Sequence, residues 1–151
     1  MIIDLDNVCA APIPGIERFK AWAQAASREE GLELSIRIVD ERECAELNRM
    51  YRQKEGPTNV LSFSCDVPEG VPCQILGDLV ICAPVVEREA LEQNKSLEAH
   101  WAHLVIHGIL HLLGFDHMEE AAAEEMEALE IKILQDLGYT NPYEPQEISR
   151  L

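Results

Sequence analysis

The run His107-Gly-Ile-Leu-His111-Leu-Leu-Gly114-Phe-Asp-His117 constrains this chain more than any other feature. It reads H-x-x-x-H-x-x-G-x-x-H. Histidines at i and i+4 lie one above the other on a helix, so His107 and His111 share a face. Gly114 can end that helix in a left-handed turn. The turn brings His117 back towards the first two. Three converging imidazoles, with no fourth protein ligand in the run, match a catalytic zinc site with one open position. Neutral imidazoles favour zinc, and nickel or copper would also accept them. The metzincin proteases share this spacing, but there a glutamate follows the first histidine and acts as general base. Here that residue is Gly108. A metal site without the protease's base points to a hydrolase of another kind.

Further polar residues surround the run. Asp116, beside His117, can orient a metal ligand or cap the helix that follows. His103 shares the i, i+4 row with His107 and His111 and reads as site wall or core, whereas His100 reads as surface. At the end of an earlier helix, Arg52 and Lys54 precede a proline turn, where a guanidinium can fork onto a phosphate. From these residues alone, the end of an amphipathic helix before a proline turn is the better-supported explanation. Thr58 and Asn59 offer polar groups at a strand start. Gly77 and Asp78 interrupt an apolar strand, which suggests a bulge or a cleft-facing segment. Asp78 is then either functional or tied to a loop.

The 151 residues suffice for one domain that buries roughly two-thirds of its unfolded surface. No apolar run is long enough to span a membrane, and no basic region followed by an apolar one suggests a secretory signal. Five cysteines, odd in number and without a C-x-x-C pair, fit free thiols in a reducing cytoplasm. The net charge of −16 argues against broad polyanion binding. The charge is unevenly placed, however. Residues 119–130 hold Glu119, Glu120, Glu124, Glu125, Glu127 and Glu130 with no basic residue, whereas Arg37, Arg42, Arg49, Arg52 and Lys54 cluster together. Net charge therefore does not exclude a local basic face on an acidic protein. The acidic stretch reads as a solvated helix face or as a docking surface for a basic protein.

Periodicity predicts strands over 1–5, 32–38, 59–64 and 75–82. It predicts helices over 16–30, from Asp40 to about Tyr51, from Pro84 to about Asn94, from Ser96 through the histidines, and over 119–137. Asp40 and Glu43 form a capping box, and Ser96 caps the histidine helix. The apolar side of that helix holds Leu97, Trp101, Leu104, Val105 and Gly108. The last helix turns Ala122, Met126, Leu129, Ile133 and Leu137 inward. Val67–Cys73 reads as a loop, and 141–151, with Pro142 and Pro145, as a frayed tail. The expected fold is α+β: one domain over 1–151 with a small mixed sheet of about four strands covered by helices.

Taken together, these segments resemble the YbeY family of bacterial endoribonucleases and rRNA maturation factors. The histidine run carries the resemblance most specifically. Leu47-Asn48-x-x-Tyr51-Arg52, Pro57-Thr-Asn-Val-Leu-Ser-Phe63, Leu76-Gly-Asp-Leu79 and Glu98-Ala-His-Trp-Ala-His103 extend it over nearly the whole chain. Ser64 and Cys65 stand where the family usually has a proline, and Phe115 replaces a common tyrosine. The resemblance implies a cytoplasmic, zinc-dependent endoribonuclease specific for single strands. It implies a role in maturing the 3′ end of small-subunit (16S) ribosomal RNA and in ribosome quality control. His107, His111 and His117 would hold the metal, and Arg52 would serve RNA cleavage. The implied partners are single-stranded RNA, the ribosome and ribosomal proteins, without DNA or membrane. No residue clearly supplies a general base, so attack by water and by the ribose 2′-hydroxyl both stay open. Two rivals remain: a metal-dependent peptide or ester hydrolase, and a non-catalytic, zinc-stabilised ribosome-assembly factor. Gly108 counts against the first.

Overall fold

The computed structural model describes residues 2–27, 31–64, 74–114 and 120–143. Its elements are β1 (Ile2–Asn7), α1 (Ile16–Ala26), β2 (Glu33–Val39), α2 (Glu41–Arg52), β3 (Val60–Ser64), β4 (Ile75–Cys82), α3 (Ala83–Glu92), α4 (Leu97–Leu112) and α5 (Glu120–Asp136). The four strands form one sheet in the order β1-β2-β4-β3. β1, β2 and β4 are parallel, and β3 runs antiparallel to β4 at the edge. The sheet is therefore mixed, as its sequence predicts. Asp116, His117, the loop 67–73 and the tail from 144 onward lie outside the described residues.

Strand alternation divides the core between two sheet faces. Leu34, Ile36 and Ile38 of β2, with Leu79 and Ile81 of β4, pack into the larger cluster with Phe19 and Trp22 of α1 and Trp101 and Val105 of α4. On the other face Val39, Leu61, Val80 and Cys82 pack with Cys44 of α2 and Val85 of α3. Helix α4 is deeply set: nine of its residues are buried, from His100 to Leu110.

Local chemistry sets the boundaries. The Asp40 carboxylate accepts from Glu43 N–H at 2.9 Å and starts α2. The expected reciprocal half of that capping box is diverted, because the Glu43 carboxylate takes Arg37 at 2.7 Å. Ser96 Oγ accepts from Ala99 N–H at 3.1 Å and starts α4. Leu97, placed inward by the helical pattern, is 41% exposed at the first position of α4. Helix α1 is shorter than the pattern suggests, ending at Ala26.

The expected irregularity in β4 is present. Glu33 pairs with Ile75 while Leu34 pairs with Gly77, which leaves Leu76 as an extra residue. Gly77 has φ +152°, and a Cβ there would lie 2.5 Å from the Phe63 carbonyl oxygen. That oxygen belongs to the paired strand and cannot move aside without breaking the ladder. Gly31 also has positive φ, at +82°, but open space around it. Gly77→Ala should therefore lower unfolding free energy by about 3 kcal/mol or more, and Gly31→Ala by only about 1–2 kcal/mol. Urea unfolding of both variants checks this; equal losses would mean that the contact with Phe63 is not what restricts position 77.

Candidate metal centre

The histidines of α4 form a stripe at i, i+3, i+7 and i+11. Ring centroids lie 6.2 Å apart for His100–His103, 6.1 Å for His103–His107 and 5.9 Å for His107–His111. The stripe runs from the interior towards the open end of the helix. His100 is 2% exposed, so its expected surface position is overturned. Its Nε2 faces Glu89 Oε1 at 3.0 Å, and Glu89 also accepts from Asn59 Nδ2 at 3.1 Å. His103 is walled in, as the sequence suggests, and His107 and His111 are half-buried.

Behind the stripe sits Glu130 of α5, 0% exposed. One carboxylate oxygen takes His107 Nδ1. The other takes His103 Nε2 at 3.1 Å and the Tyr143 hydroxyl. Burial by itself raises the pKa of Glu130. The hydrogen bonds from His103 and His107 outweigh burial and bring it down from its ordinary 4.5 to about 2. Burial lowers the pKa of His103, which keeps that ring neutral near neutrality. An ionised carboxylate can only accept, so the nitrogens facing Glu130 carry the protons. His107 is thereby set in the tautomer with its lone pair on Nε2. This is the carboxylate–histidine arrangement that orients metal-binding imidazoles. Ligand atoms of His103, His107 and Glu130 also lie within 4.8 Å of one another, so that group can itself hold a metal ion.

Glu130 is the site residue that sequence reasoning missed. The acidic stretch from 119 to 130 suggests a water-facing surface, and Glu124, Glu125 and Glu127 do face water. Glu130, however, lies on the inward row with Met126 and Ile133, at i+4 and i+7 from Met126. A glutamate in register with the apolar stripe was the available signal.

His107 and His111 open onto a cleft of about 390 Å³, also lined by Arg52, Lys54, Thr58, Asn59 and Ser62. Arg52 reaches it because it is the last residue of α2 and Gln53, which caps the helix with φ 57°, turns the chain. Asn48 Nδ2 donates to Gly56 O at 2.9 Å and secures that turn. The Arg52 guanidinium donates to the Ser62 carbonyl and lies 5.3 Å from the Phe63 ring centroid. Residues far apart in sequence, at the ends of α2 and α4, thus face one cavity. Asp78 does not join them. Alternation along β4 turns it to the α2 face, where it lines a separate groove with Tyr51 and Phe63.

The basic cluster seen in the sequence contracts in the fold. Arg37 is paired with Glu43 and Asp6, and Arg42 with Glu46. Arg49, Arg52 and Lys54 have no carboxylate partner among the described residues, and the latter two line the cleft. Gly108 has a steric explanation. A Cβ there would lie 2.7 Å from Leu79 Cδ2 and 3.4 Å from Ser62 Oγ. The helix is pressed onto β3 and β4 at this point, and any side chain there would have to displace the buried Leu79.

A cationic rim facing a histidine-lined cleft on a small mixed sheet defines a metal-hydrolase type of site. Residues 16–138 match the model of the family described as Endoribonuclease YbeY. A Methylococcus capsulatus protein named Endoribonuclease YbeY is 59% identical over 141 residues, covering 93% of this chain and 94% of that one. A Stutzerimonas stutzeri protein of the same name is 57% identical, covering 94% and 92%. A Thermotoga maritima solution structure aligns with TM-score 0.63 and 30% identity, covering 90% of this chain and 89% of that one. The chain belongs to the endoribonuclease YbeY family.

Glu130 gives a prediction with a definite sign. Its folded pKa of about 2 lies below the ordinary 4.5, so its stabilisation is complete above pH 4.5 and is lost as pH falls through 2. Urea unfolding should show wild-type stability falling across that window, and Glu130→Gln should show a shallower fall. Glu130→Ala should cost at least about 3 kcal/mol at pH 7, since it strands several donors to a charged group. Identical pH slopes for wild type and Glu130→Gln would mean the carboxylate is not the titrating support.

Proposed function

We propose that this protein is a zinc-dependent endoribonuclease that cuts single-stranded RNA in the cleft between α4 and the end of α2. Maturation of the 3′ end of small-subunit ribosomal RNA, and ribosome quality control in the cytoplasm, are the settings in which we place it. The observation that carries this reading is the convergence of His107, His111, Arg52 and Lys54 on one cavity. Imidazoles suit a metal ion, and an adjacent guanidinium suits a phosphodiester.

His107, His111 and His117 would hold the metal, with Asp116 beside the third ligand. Two observations favour this set over His103, His107 and Glu130. The Glu130 oxygens already accept from three side chains. In addition, the Nδ1 hydrogen bond sets His107 in the tautomer whose Nε2 can coordinate a metal. Bound zinc would supply Lewis acidity towards a phosphoryl oxygen and a lowered pKa for coordinated water. Arg52, held by Ser62 and Phe63, would bind the scissile phosphate and neutralise charge as the bond breaks. Lys54 would add a second cation. Among the described cleft residues there is no carboxylate to act as a base, which weighs against a peptidase. The exposed Glu124, Glu125 and Glu127 of α5 would offer a basic ribosomal protein a docking face.

Elemental analysis of untagged protein should give about one zinc per chain. His107→Ala and His111→Ala should lose it, while His103→Ala should keep it. Loss of zinc in His103→Ala with retention in His111→Ala would move the metal onto the Glu130 group. Arg52→Ala should lower cleavage of a single-stranded RNA about 10²–10³-fold while keeping fold and zinc, and Arg52→Lys should recover part. Undiminished cleavage by Arg52→Ala would remove Arg52 from the reaction and point to Lys54 or Arg49.

A further inference from the structure

The edge strand β3 separates two cavities. Ser62 turns its side chain towards α4, where Oγ lies 3.5 Å from Gly108 O, and lines the histidine cleft. Phe63 turns the other way and lines the groove between α2 and the sheet. Arg52 spans the edge, with its guanidinium on the Ser62 carbonyl and beside the Phe63 ring. From Phe63 the groove continues to Tyr51, whose ring lies 5.3 Å away in an edge-to-face contact at 72°. Tyr51 and Met50 are 57% and 66% exposed. Asp78 pairs directly with Phe63 across the strands and is exposed on the same groove. Its carboxylate carries no hydrogen bond or ion pair among the described residues.

From this juxtaposition we infer that the Tyr51–Phe63–Asp78 groove is a nucleobase subsite, taking the unpaired base next to the phosphate held by Arg52. The inference rests on the ribonuclease reading of the cleft and adds a binding site on the opposite face of β3. Charge decides what enters. Asp78, Glu43 and Glu46 line the groove against one cation, Arg37, which is paired with Glu43, so the net negative charge repels a phosphate. An aromatic ring on an apolar wall accepts the face of a base, and base–aromatic stacking is the usual hold on single strands. The RNA backbone would cross the β3 edge at Arg52 and Lys54, with one base turned down onto Tyr51. A base paired in a duplex cannot make that turn, so the groove selects for single strands. A carboxylate accepts only, and uracil's single ring N–H donor lies between two carbonyl oxygens that repel it, so Asp78 favours a base that presents an amino group (guanine, adenine or cytosine) over uracil.

The test uses the metal-loaded protein and short single-stranded RNAs with 2-aminopurine placed at successive positions around the cut. Wild-type protein should quench the fluorophore at one position beside the cut. Tyr51→Ala should abolish that quenching and raise KM roughly 5- to 100-fold with kcat kept, the range expected for one lost stack. Tyr51→Phe should restore both. Asp78→Asn should narrow the discrimination against uracil at the same position. Because Tyr51 and Asp78 are exposed, an unchanged thermal midpoint in each variant ties the effects to binding. Wild-type protein that neither binds nor cuts these RNAs would overturn the ribonuclease reading and the subsite with it. If wild type cuts them and Tyr51→Ala matches its KM within twofold and its quenching, the subsite alone is overturned.

Discussion

The seating of α4 on the sheet is the constraint on which the rest depends. Gly108 lets the helix backbone approach Leu79 and Ser62 more closely than a side chain would permit. Trp101, Val105 and Ile109 then fill the core on either side of that contact. With the axis of α4 fixed, helical geometry fixes the azimuth of every histidine on it. The stripe cannot rotate towards solvent without pulling Trp101 and Ile109 out of the core. Stability and site geometry therefore share one interface. The same contact brings β3, and through it Arg52, to the mouth of the histidine cleft.

Electrostatics is sorted across this frame. The chain carries 28 acidic residues against 12 basic ones, yet the described residues lining the cleft include no carboxylate. Two carboxylates stand on the far side of the imidazoles instead: Glu89 on His100 and Glu130 on His103 and His107. In that position they fix ring orientation without repelling an anionic substrate. Among the described residues, Glu43 and Glu46 neutralise Arg37 and Arg42, which would otherwise extend the basic face. A strongly acidic protein can thus present a short cationic track to RNA, and screening confines its reach to about a Debye length.

Much of the fold was legible in the sequence because its signals are local. The alternation Leu34, Ile36, Ile38 is a half-buried strand, and Asp40 and Ser96 are caps where their side chains say they should be. Even the bulge in β4 showed as Gly77 and Asp78 within an apolar run. What misled was a side chain whose partner is distant. His100 looked like a surface residue because nothing nearby in sequence announces Glu89. Leu97 looked buried because a helical stripe does not reveal where the core stops. Glu130 looked solvated because it ends an acidic run, although its register with Met126 and Ile133 turned it inward.

The sequence by itself determined the chemistry available: imidazoles at helical spacing, a glycine where a protease has a glutamate, and an arginine at a helix end. These follow from residue type and from the 3.6-residue period, which need no partner. Only the tertiary structure decided which of those groups meet. It brought Arg52 and Lys54 to His107 and His111, and sent Asp78 to the other face of the sheet. It set the buried carboxylate of Glu130 against His103 and His107. Such pairings depend on strand order and on how α2, α4 and α5 pack, and they join residues more than 20 positions apart in the chain. No local periodicity encodes that separation; the hydrophobic faces that seat the helices on the sheet do.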